Sequence, residues 1–342
     1  MVVIRLFNEA FSTRFRPIGL TLMLAGLLIW LGLVAASASL GSFNMNLAEV
    51  WQTVIGNAPS AQHELVVWEF RLPRTLVAGL VGALFALSGA MLQNLTRNSL
   101  ADPSLVGISQ GAALAVVTMV IVFPEVSGYW REVSAFAGSL LVALAIRVVA
   151  GKGNSLKFIL MGIGMAALVS AITSAMLTYG DIDRAMSALA WLAGSINSAT
   201  WSDVKILSVA TAALLILYLV QARSMSPMSL GHEASVGLGV NINMLATTQL
   251  VTSVLAAALA TAVVGPLGFV GLLAPHITRT MVKTGPANFL LLTALNGALL
   301  VLFADLVGRT LFAPVQIAAG LLTSLIGAPF FIWLMLSRKS QL

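Results

Sequence analysis

The chain has 342 residues, of which 59% are hydrophobic and only 9% are charged. Soluble domains average roughly 45–50% apolar and about 25% charged residues, so this composition excludes water-soluble enzymes, secreted domains and nucleic-acid binders. The formal net charge is +6, and the charged residues lie between apolar runs rather than in one basic patch. With a mean hydropathy of +0.98, the chain is predicted to be an all-α polytopic membrane protein.

Nine charge-free runs are long enough, or nearly so, to cross a bilayer, which needs about 20 apolar residues per helix. They are Pro17–Ala48, Thr75–Thr96, Pro103–Pro124, Val133–Ile146, Phe158–Gly180, Ile206–Ala222, Ala234–Thr278, Thr284–Ala304 and Thr310–Ser337. The seventh run is too long for one helix, and Gly265-Pro266 is its predicted break because Pro lacks an N–H donor and Gly permits a turn. The sequence therefore predicts ten transmembrane helices in a single domain, residues 1–342.

Two segments have a second interpretation. The polar stretch Ala185–Ser202 could be an eleventh span, but its serines, threonine and asparagine favour a short helix at the outer surface. The first run, with Ala36-Ser37-Ala38 near its end, resembles a cleavable signal peptide. Its apolar part, from Ile18 to Ala36, is longer than a usual signal core of 7–15 residues, so we expect it to be a retained span.

The positions of Lys and Arg predict that both termini are cytoplasmic. With the N-terminus inside, the inner side holds Arg5, Arg14, Arg16, Arg97, Arg147, Lys152, Lys157, Arg223, Arg279, Lys283, Arg338 and Lys339. The outer side holds only Arg71, Arg74, Arg131, Arg184, Lys205 and Arg309. Ten spans divide into two groups of five, and such halves, if related, have opposite orientations. A 5+5 inverted repeat is thus possible.

Charged residues within the spans are nearly absent. Asp305 is the one acid near a span interior, and it precedes Arg309 by four residues, the favourable orientation for a helical ion pair. A local pair is therefore favoured over direct contact with a substrate. Proton- or sodium-coupled carriers depend on intramembrane charges, and Gly151-Lys152-Gly153 lacks the other residues of a phosphate-binding P-loop. Any energy for uphill transport is expected to come from a partner.

The sequence also predicts roles for the glycines and for one cytoplasmic connection. Most of the 29 glycines, such as Gly82 and Gly89, are expected to allow close helix packing. Within the cytoplasmic connection Arg223–Asn243, Pro227 is predicted to end whatever precedes it. The connection is expected to hold a short helix that Ser229 begins, that contains His232 and Glu233, and that Gly237 and Gly239 end. On composition alone, this helix is either a docking element or a solvated connector.

Four motifs in order resemble the FecCD family, the permease subunits of ABC importers for iron-siderophores, haem and cobalamin. They are WEFRLPRTLVAGLVGALFALSGAMLQNLTRNSLADP at Trp68–Pro103, GPLGFVGLLAPHITR at Gly265–Arg279, ADLVGRTL at Ala304–Leu311 and LIGAPFFIWLML at Leu325–Leu336. The resemblance covers roughly residues 18–338. Two departures are Ser99 in RNSLADP, where the family commonly has proline, and Gly231-His232-Glu233, where Gly-Asp is frequent.

The resemblance implies a permease with ten helices that pairs with a second permease, as a homodimer or heterodimer, in a bacterial inner membrane. It also implies two cytoplasmic ATPase subunits and a periplasmic or lipid-anchored substrate-binding protein. The chain itself would be no enzyme and would hold no cofactor or metal, since the partners bind ATP. A ferric siderophore is the expected cargo, cobalamin or haem is an alternative within the family, and an ion-coupled secondary transporter is the alternative from another class.

The resemblance also assigns roles to residues. Arg71, Arg74 and Arg309 match positions that face glutamates on the binding protein. The segment 223–243 matches the cytoplasmic loop that contacts the ATPase. The coupling residues would be Ser229, Leu230, Gly231, His232, Glu233, Ala234, Gly237, Leu238 and Gly239. On the fifth span, Met161, Met165 and Ser170 are candidates for the translocation pathway, although core packing is the competing interpretation of each.

Overall fold

The computed structural model describes residues 2–6, 11–15, 17–41, 43–126, 128–151, 155–228, 232–239, 241–313 and 315–338. Within these ranges an N-terminal hairpin, β1 (Val2–Leu6) and β2 (Phe11–Phe15), precedes helices only. The helices are α1 (Pro17–Ser39), α2 (Leu47–Val54), α3 (Ala61–Leu65), α4 (Leu72–Thr96), α5 (Ile108–Val122), α6 (Gly128–Ala150), α7 (Ser155–Tyr179), α8 (Ile182–Leu192), α9 (Trp201–Met228), α10 (His232–Gly237), α11 (Ile242–Val264), α12 (Val270–Met281), α13 (Pro286–Thr310) and α14 (Ala319–Arg338). A π-helical turn, Val66–Arg71, joins α3 to α4, and a 3₁₀ turn, Pro103–Val106, precedes α5.

Eight helices in the described part of the chain are long and apolar enough to cross a membrane, and α5 is a shorter apolar helix. They cover Ile18–Ser39, Ala61–Thr96, Gly128–Ala150, Leu160–Tyr179, Trp201–Met225, Ile242–Val264, Pro286–Thr310 and Ala319–Leu336. The all-α polytopic class is thus confirmed. The ten predicted spans each coincide with a helix, but α5 and α12 are short, so the count of ten, the cytoplasmic termini and the inverted repeat stay predictions.

Helix α4 lies at the centre of the molecule and packs against α9, α11, α12 and α13. Glycines bring the backbones together there, because a Cβ on Gly82 would overlap the carbonyl of Gly297 in α13 and a Cβ on Gly297 would overlap that of Gly82. Gly89 meets Gly271 of α12 in the same way. Small residues let helices approach closely in a lipid environment, where no hydrophobic force holds them together. The predicted packing role of Gly82 and Gly89 is confirmed.

The break in the seventh run is also confirmed. Helix α11 ends at Val264, Gly265 has a φ of +79°, and α12 begins only at Val270. A left-handed backbone suits glycine, and a Cβ on Gly265 would lie 2.5 Å from the carbonyl oxygen of Trp191.

The short helix expected in Ala185–Ser202 is present in part: α8 covers Ala185 to Leu192, and Trp201 and Ser202 already belong to α9. After α8 the backbone N–H of Gly320 in α14 donates to the carbonyl oxygen of Gly194. Gly194, with a φ of +72°, turns the chain away from the helix axis. The helix end expected at Pro227 was wrong, since α9 runs one residue further, to Met228. The fixed φ of proline, about −65°, is also a helical value, so the backbone can stay helical just beyond it.

Candidate functional site

The three predicted docking arginines converge at the C-terminal end of α1. Arg71 ends the π-helical turn, Arg74 lies in the first turn of α4, and Arg309 lies in the last turn of α13. The packing of α13 against α4 and α1 places all three side chains at one end of the bundle. Arg71 is 5% exposed and Arg309 is 7% exposed. Their charges are therefore mostly enclosed by protein rather than displayed to solvent.

Arg71 and Arg309 donate to backbone carbonyls at the end of α1. Arg71 Nη1 and Nη2 bind the carbonyls of Ala38 and Phe43. Arg309 Nη2 lies 2.6 Å from Ser37 Oγ, it also bonds the Ser37 carbonyl, and Nη1 lies 3.2 Å from the carbonyl oxygen of Leu40. The last carbonyls of a helix have no partner within it, and cations there also interact favourably with the helix dipole. The two guanidinium groups thus cap α1.

Asp305, which is 1% exposed, carries the negative charge of this cluster. Arg74 Nε lies 3.0 Å from both of its carboxylate oxygens, and Arg74 Nη2 lies 2.8 Å from Oδ1. Arg309 Nε is 3.7 Å from Oδ2. The expected pair with Arg309 is confirmed, but the closer partner is Arg74. The sequence carries no signal for that contact because the residues are 231 positions apart.

Sequence reasoning also missed the small residues that make room for the cluster. A Cβ on Gly41 would lie 2.9 Å from Arg71 Nη2, so a larger residue would push that guanidinium away. Ser37 Oγ and Thr75 Oγ1 are 2.5 Å apart and join α1 to α4 beside Arg309. Thr75 lies in the motif Trp68–Pro103, but no motif or periodicity in the sequence predicts that these residues lie beside the arginines.

Of the three arginines, Arg74 is the one whose side chain is partly exposed to solvent. Its side chain is 13% exposed, and its Nη1 lies 2.8 Å from Oε1 of Gln316, an exposed residue. The preceding π-helical turn leads directly into its helix, and such turns recur at functional sites. The arrangement therefore offers one partly accessible guanidinium edge above a buried carboxylate.

A second polar cluster lies at the opposite end of α4. Gln93 Nε2 donates to the carbonyl oxygens of Ala101 at 3.3 Å and Gly271 at 3.2 Å, and Arg279 donates to its Oε1. Asp102, of the RNSLADP motif, accepts from the N–H and hydroxyl of Ser104 and begins the 3₁₀ turn. Burial raises the pKa of the Asp102 carboxyl, and the bonds from Ser104 oppose that rise. These contacts join α4, α12 and the connection to α5.

The segment predicted to contact the ATPase is partly described. The short helix expected around His232 and Glu233 is present as α10, which also contains Ala234, and it packs against α9 and α11. Gly237, Leu238 and Gly239 are exposed, and Gly239 has a φ of +81°. Ser229, Leu230 and Gly231 lie outside the described residues, so the coupling roles predicted for them stay predictions.

A family model, the FecCD transport family, matches residues 19–337. The chain belongs to the FecCD family. It is 38% identical over 326 residues to the "Probable siderophore transport system permease protein YfhA" of Bacillus subtilis, covering 92% of this chain and 95% of that protein. It is 38% identical over 328 residues to the hemin transport system permease protein HmuU of Yersinia pestis, covering 94% and 97%.

A solved structure described as an inward-facing metal-chelate type ABC transporter superposes on this FecCD chain with a TM-score of 0.80. The match covers 93% of the chain and 99% of that structure, at 26% identity. This FecCD chain is thus a multi-pass permease subunit of an ABC transporter, and not an enzyme in its own right.

The predicted pathway residues of this FecCD permease lie on α7. Met161 and Ser170 are exposed, whereas Met165 packs against a cluster that includes Leu92 and Ile146. Packing thus has support for Met165 alone. Among the described residues, His, Asp and Glu form no group of three or more that could hold a metal ion.

Proposed function

We propose that this chain is the permease subunit that carries a ferric siderophore across the inner membrane of a bacterium. The observation that carries the proposal is the FecCD match across residues 19–337. Relatives named for siderophore and hemin transport, and a structural neighbour of the metal-chelate type, support a cargo of chelated iron. The cargo would cross between two permeases, this chain and either a second copy or a sister chain.

Energy and delivery would come from separate subunits. Two cytoplasmic ATPase subunits would bind ATP, because the chain has no P-loop of its own. A periplasmic or lipid-anchored binding protein would deliver the chelate to the outer face. No cofactor is assigned to this chain. The alternative from another class is an ion-coupled secondary transporter. It is disfavoured because the spans contain few charged residues and because the chain belongs to the FecCD family of ABC permeases.

Haem is the second candidate cargo, because a relative at 38% identity is a hemin transport permease. Uptake of radiolabelled iron as a panel of siderophores, with haem and cobalamin beside them, is measured in cells with and without the gene. Loss of one siderophore, restored by the gene, supports the proposal. If siderophore uptake stays intact while haem or cobalamin uptake is lost, the proposed cargo is wrong and haem or cobalamin takes its place. The proposed role as a permease would remain.

For docking, we propose that Arg71, Arg74 and Arg309 present positive potential to an acidic surface of the binding protein. The support is that three cations and one carboxylate share one end of the bundle, so the cluster is net positive. Arg74 would make the direct contact, since its side chain is the one with an exposed edge. Such complementarity mainly speeds association and fixes orientation.

Arg74→Gln is expected to weaken binding-protein docking by up to about fivefold, since an exposed ion pair contributes roughly 0.2–1 kcal/mol. The association rate of the binding protein with the assembled transporter is measured against salt concentration, where the variant should show a flatter dependence. Arg131→Gln, which removes an exposed arginine at the start of α6, is the matched control. Equal salt dependence in Arg74→Gln and the unmodified transporter would contradict the docking role.

For coupling, we propose that α10 and the residues that follow it seat in the ATPase subunit. Val236 and Leu238 support this, because both are exposed apolar side chains on a segment whose other face packs on α9 and α11. The coupling residues proposed from the sequence, Ser229 to Ala234 and Gly237 to Gly239, include Leu238 and flank Val236. Movement of the ATPase would then reach α9 and α11 through α10.

Leu238→Asp is expected to weaken retention of the ATPase by about tenfold or more, the size of effect that a buried interface anchor gives. Co-purification of ATPase with the permease at increasing dilution measures this. Leu311→Asp, an exposed leucine just beyond α13, is the control and should keep the ATPase. Unchanged retention in Leu238→Asp would contradict the coupling proposal.

The pathway proposal for Met161, Met165 and Ser170 rests on α7 being little buried in the single chain. Met161 and Ser170 are exposed on opposite sides of α7, because nine residues at about 100° per residue turn the helix by about 180°. A second permease or a cavity between the two subunits would therefore reach them from different sides. Met165 contributes to packing in either arrangement.

A further inference from the structure

Helix α2 has three distinct faces although it is only eight residues long. Val50 and Thr53 are buried, Glu49 and Gln52 form a polar face, and four apolar side chains are exposed together. Leu47, Trp51 and Val54 lie on α2, and Ile55 follows its last residue; Trp51 is 64% exposed. At 100° per residue the three helical positions fall within one arc next to the buried face, and the nearest of them is about 100° from Gln52. We call these four side chains the apolar face of α2.

The helix is held firmly in this orientation. Asn46 and Glu49 form a reciprocal capping box at its start, with both bonds at 2.8 Å. The indole N–H of Trp68 donates to the carbonyl of Thr53 at 3.4 Å. Val50 packs in a cluster with Ala38 and Val67. The exposure of the apolar face is thus not the result of a loosely attached segment.

The depth of α2 follows from its contact with the last turn of α1. The span Ile18–Ser39 has 22 residues, so at 1.5 Å per residue it is about 33 Å long, close to the roughly 30 Å of a bilayer's hydrocarbon core. Ala38, in its last turn, packs with Val50 of α2. The helix α2 therefore lies at the level where the first span leaves the hydrocarbon.

The apolar face is also continuous with a surface that meets lipid. Helix α1 is the least buried of the candidate spans, and its leucines, such as Leu24, Leu28 and Leu31, are exposed. Tryptophan is enriched at the level of the lipid headgroups because its ring is amphipathic. Helices with one apolar and one polar face lie in that layer, with the apolar side turned into it.

We propose that α2 is an interfacial helix whose apolar face lies in the lipid headgroup layer at the membrane surface where α1 ends. It would hold the end of α1, and with it the carbonyls that Arg71 and Arg309 bind, at a fixed depth. The occupant of the face is lipid. This inference depends on the chain spanning the membrane and not on which chelate it carries.

The chain has no cysteine, so single cysteines can be introduced directly. In the assembled transporter with cysteine-free partner subunits, Trp51→Cys is spin-labelled in vesicles of phosphatidylcholine and phosphatidylglycerol without binding protein. Accessibility to oxygen, which partitions into lipid, is compared with accessibility to a water-soluble nickel chelate. Gln52→Cys is the control for water, and Leu28→Cys, on the exposed side of α1, is the control for hydrocarbon.

The proposal predicts a depth for Trp51→Cys between the two controls, with higher oxygen and lower nickel accessibility than Gln52→Cys. Equal nickel accessibility at Trp51→Cys and Gln52→Cys would place the face in water and overturn the proposal. Low accessibility to both probes at Trp51→Cys would show that protein covers the face, either a second permease or another subunit, and would also overturn it. A lipid signal at both positions would overturn the interfacial depth.

Discussion

Asp305→Ala is expected to cost about 3–5 kcal/mol of unfolding free energy, the usual effect of removing one partner of a buried ion pair. The carboxylate is 1% exposed and carries three hydrogen bonds from Arg74 as well as the contact with Arg309. Without it, two guanidinium groups remain close together in a poorly solvated site. Unfolding of the assembled transporter by sodium dodecyl sulfate in mixed micelles measures the loss.

A double-mutant cycle distinguishes the ion pair from loss of packing. Arg74→Ala with Asp305→Ala removes both charges, so the pair of changes should cost less than the sum of the two single changes by about 0.5–3 kcal/mol. Glu125→Ala, which removes an exposed carboxylate, should stay within about 0.5 kcal/mol of the unmodified protein. Additive costs for the two single changes would show that Arg74 and Asp305 do not stabilise each other.

Gly82→Val is expected to destabilise the helix bundle by about 3 kcal/mol, at the upper end of overpacking costs. The added atoms would overlap the backbone of Gly297 and Ala298 in α13, and backbone cannot rotate away as a side chain can. The expected result is a lower yield of folded transporter and a lower melting temperature of what remains. Size-exclusion profiles and thermal unfolding in detergent measure both.

Gly32→Val is the matched control for this change. Gly32 lies on α1, where a Cβ would meet no atom within 4 Å. The same substitution there should alter stability by no more than about 0.5 kcal/mol. If Gly82→Val were as stable as Gly32→Val, α4 and α13 could not be as close as the structure places them.

The sequence predicts the helices well because their signals are local. Long apolar runs, the Gly265-Pro266 pair and the short helix at His232 each depend on a few neighbouring residues. The end of α9 was predicted wrongly, and no end was predicted for α8, after which the carbonyl of Gly194 accepts a hydrogen bond from the N–H of Gly320. Local spacing cannot report such a contact.

The contacts within the arginine cluster were also not predicted in full from local sequence patterns. The motif RLPR and the helix of Arg309 identify the three arginines, and spacing predicts the contact of Asp305 with Arg309. The pairing of Arg74 with Asp305 and the capping of α1 by Arg71 and Arg309 need the folded chain, because they join residues from three separate helices. The sequence predicts three arginines displayed to solvent. In the structure Arg74 is partly accessible, whereas Arg71 and Arg309 are buried.

The most direct test of the proposed permease role measures the energy source of transport. The permease, its ATPase and its binding protein are reconstituted in vesicles, and entry of radiolabelled ferric siderophore is followed with and without ATP on the ATPase side. We expect uptake that needs ATP, persists when a protonophore abolishes the ion gradient, and stops when the ATPase subunit is inactivated by mutation. Uptake driven by an ion gradient in the absence of ATP would contradict the proposed role.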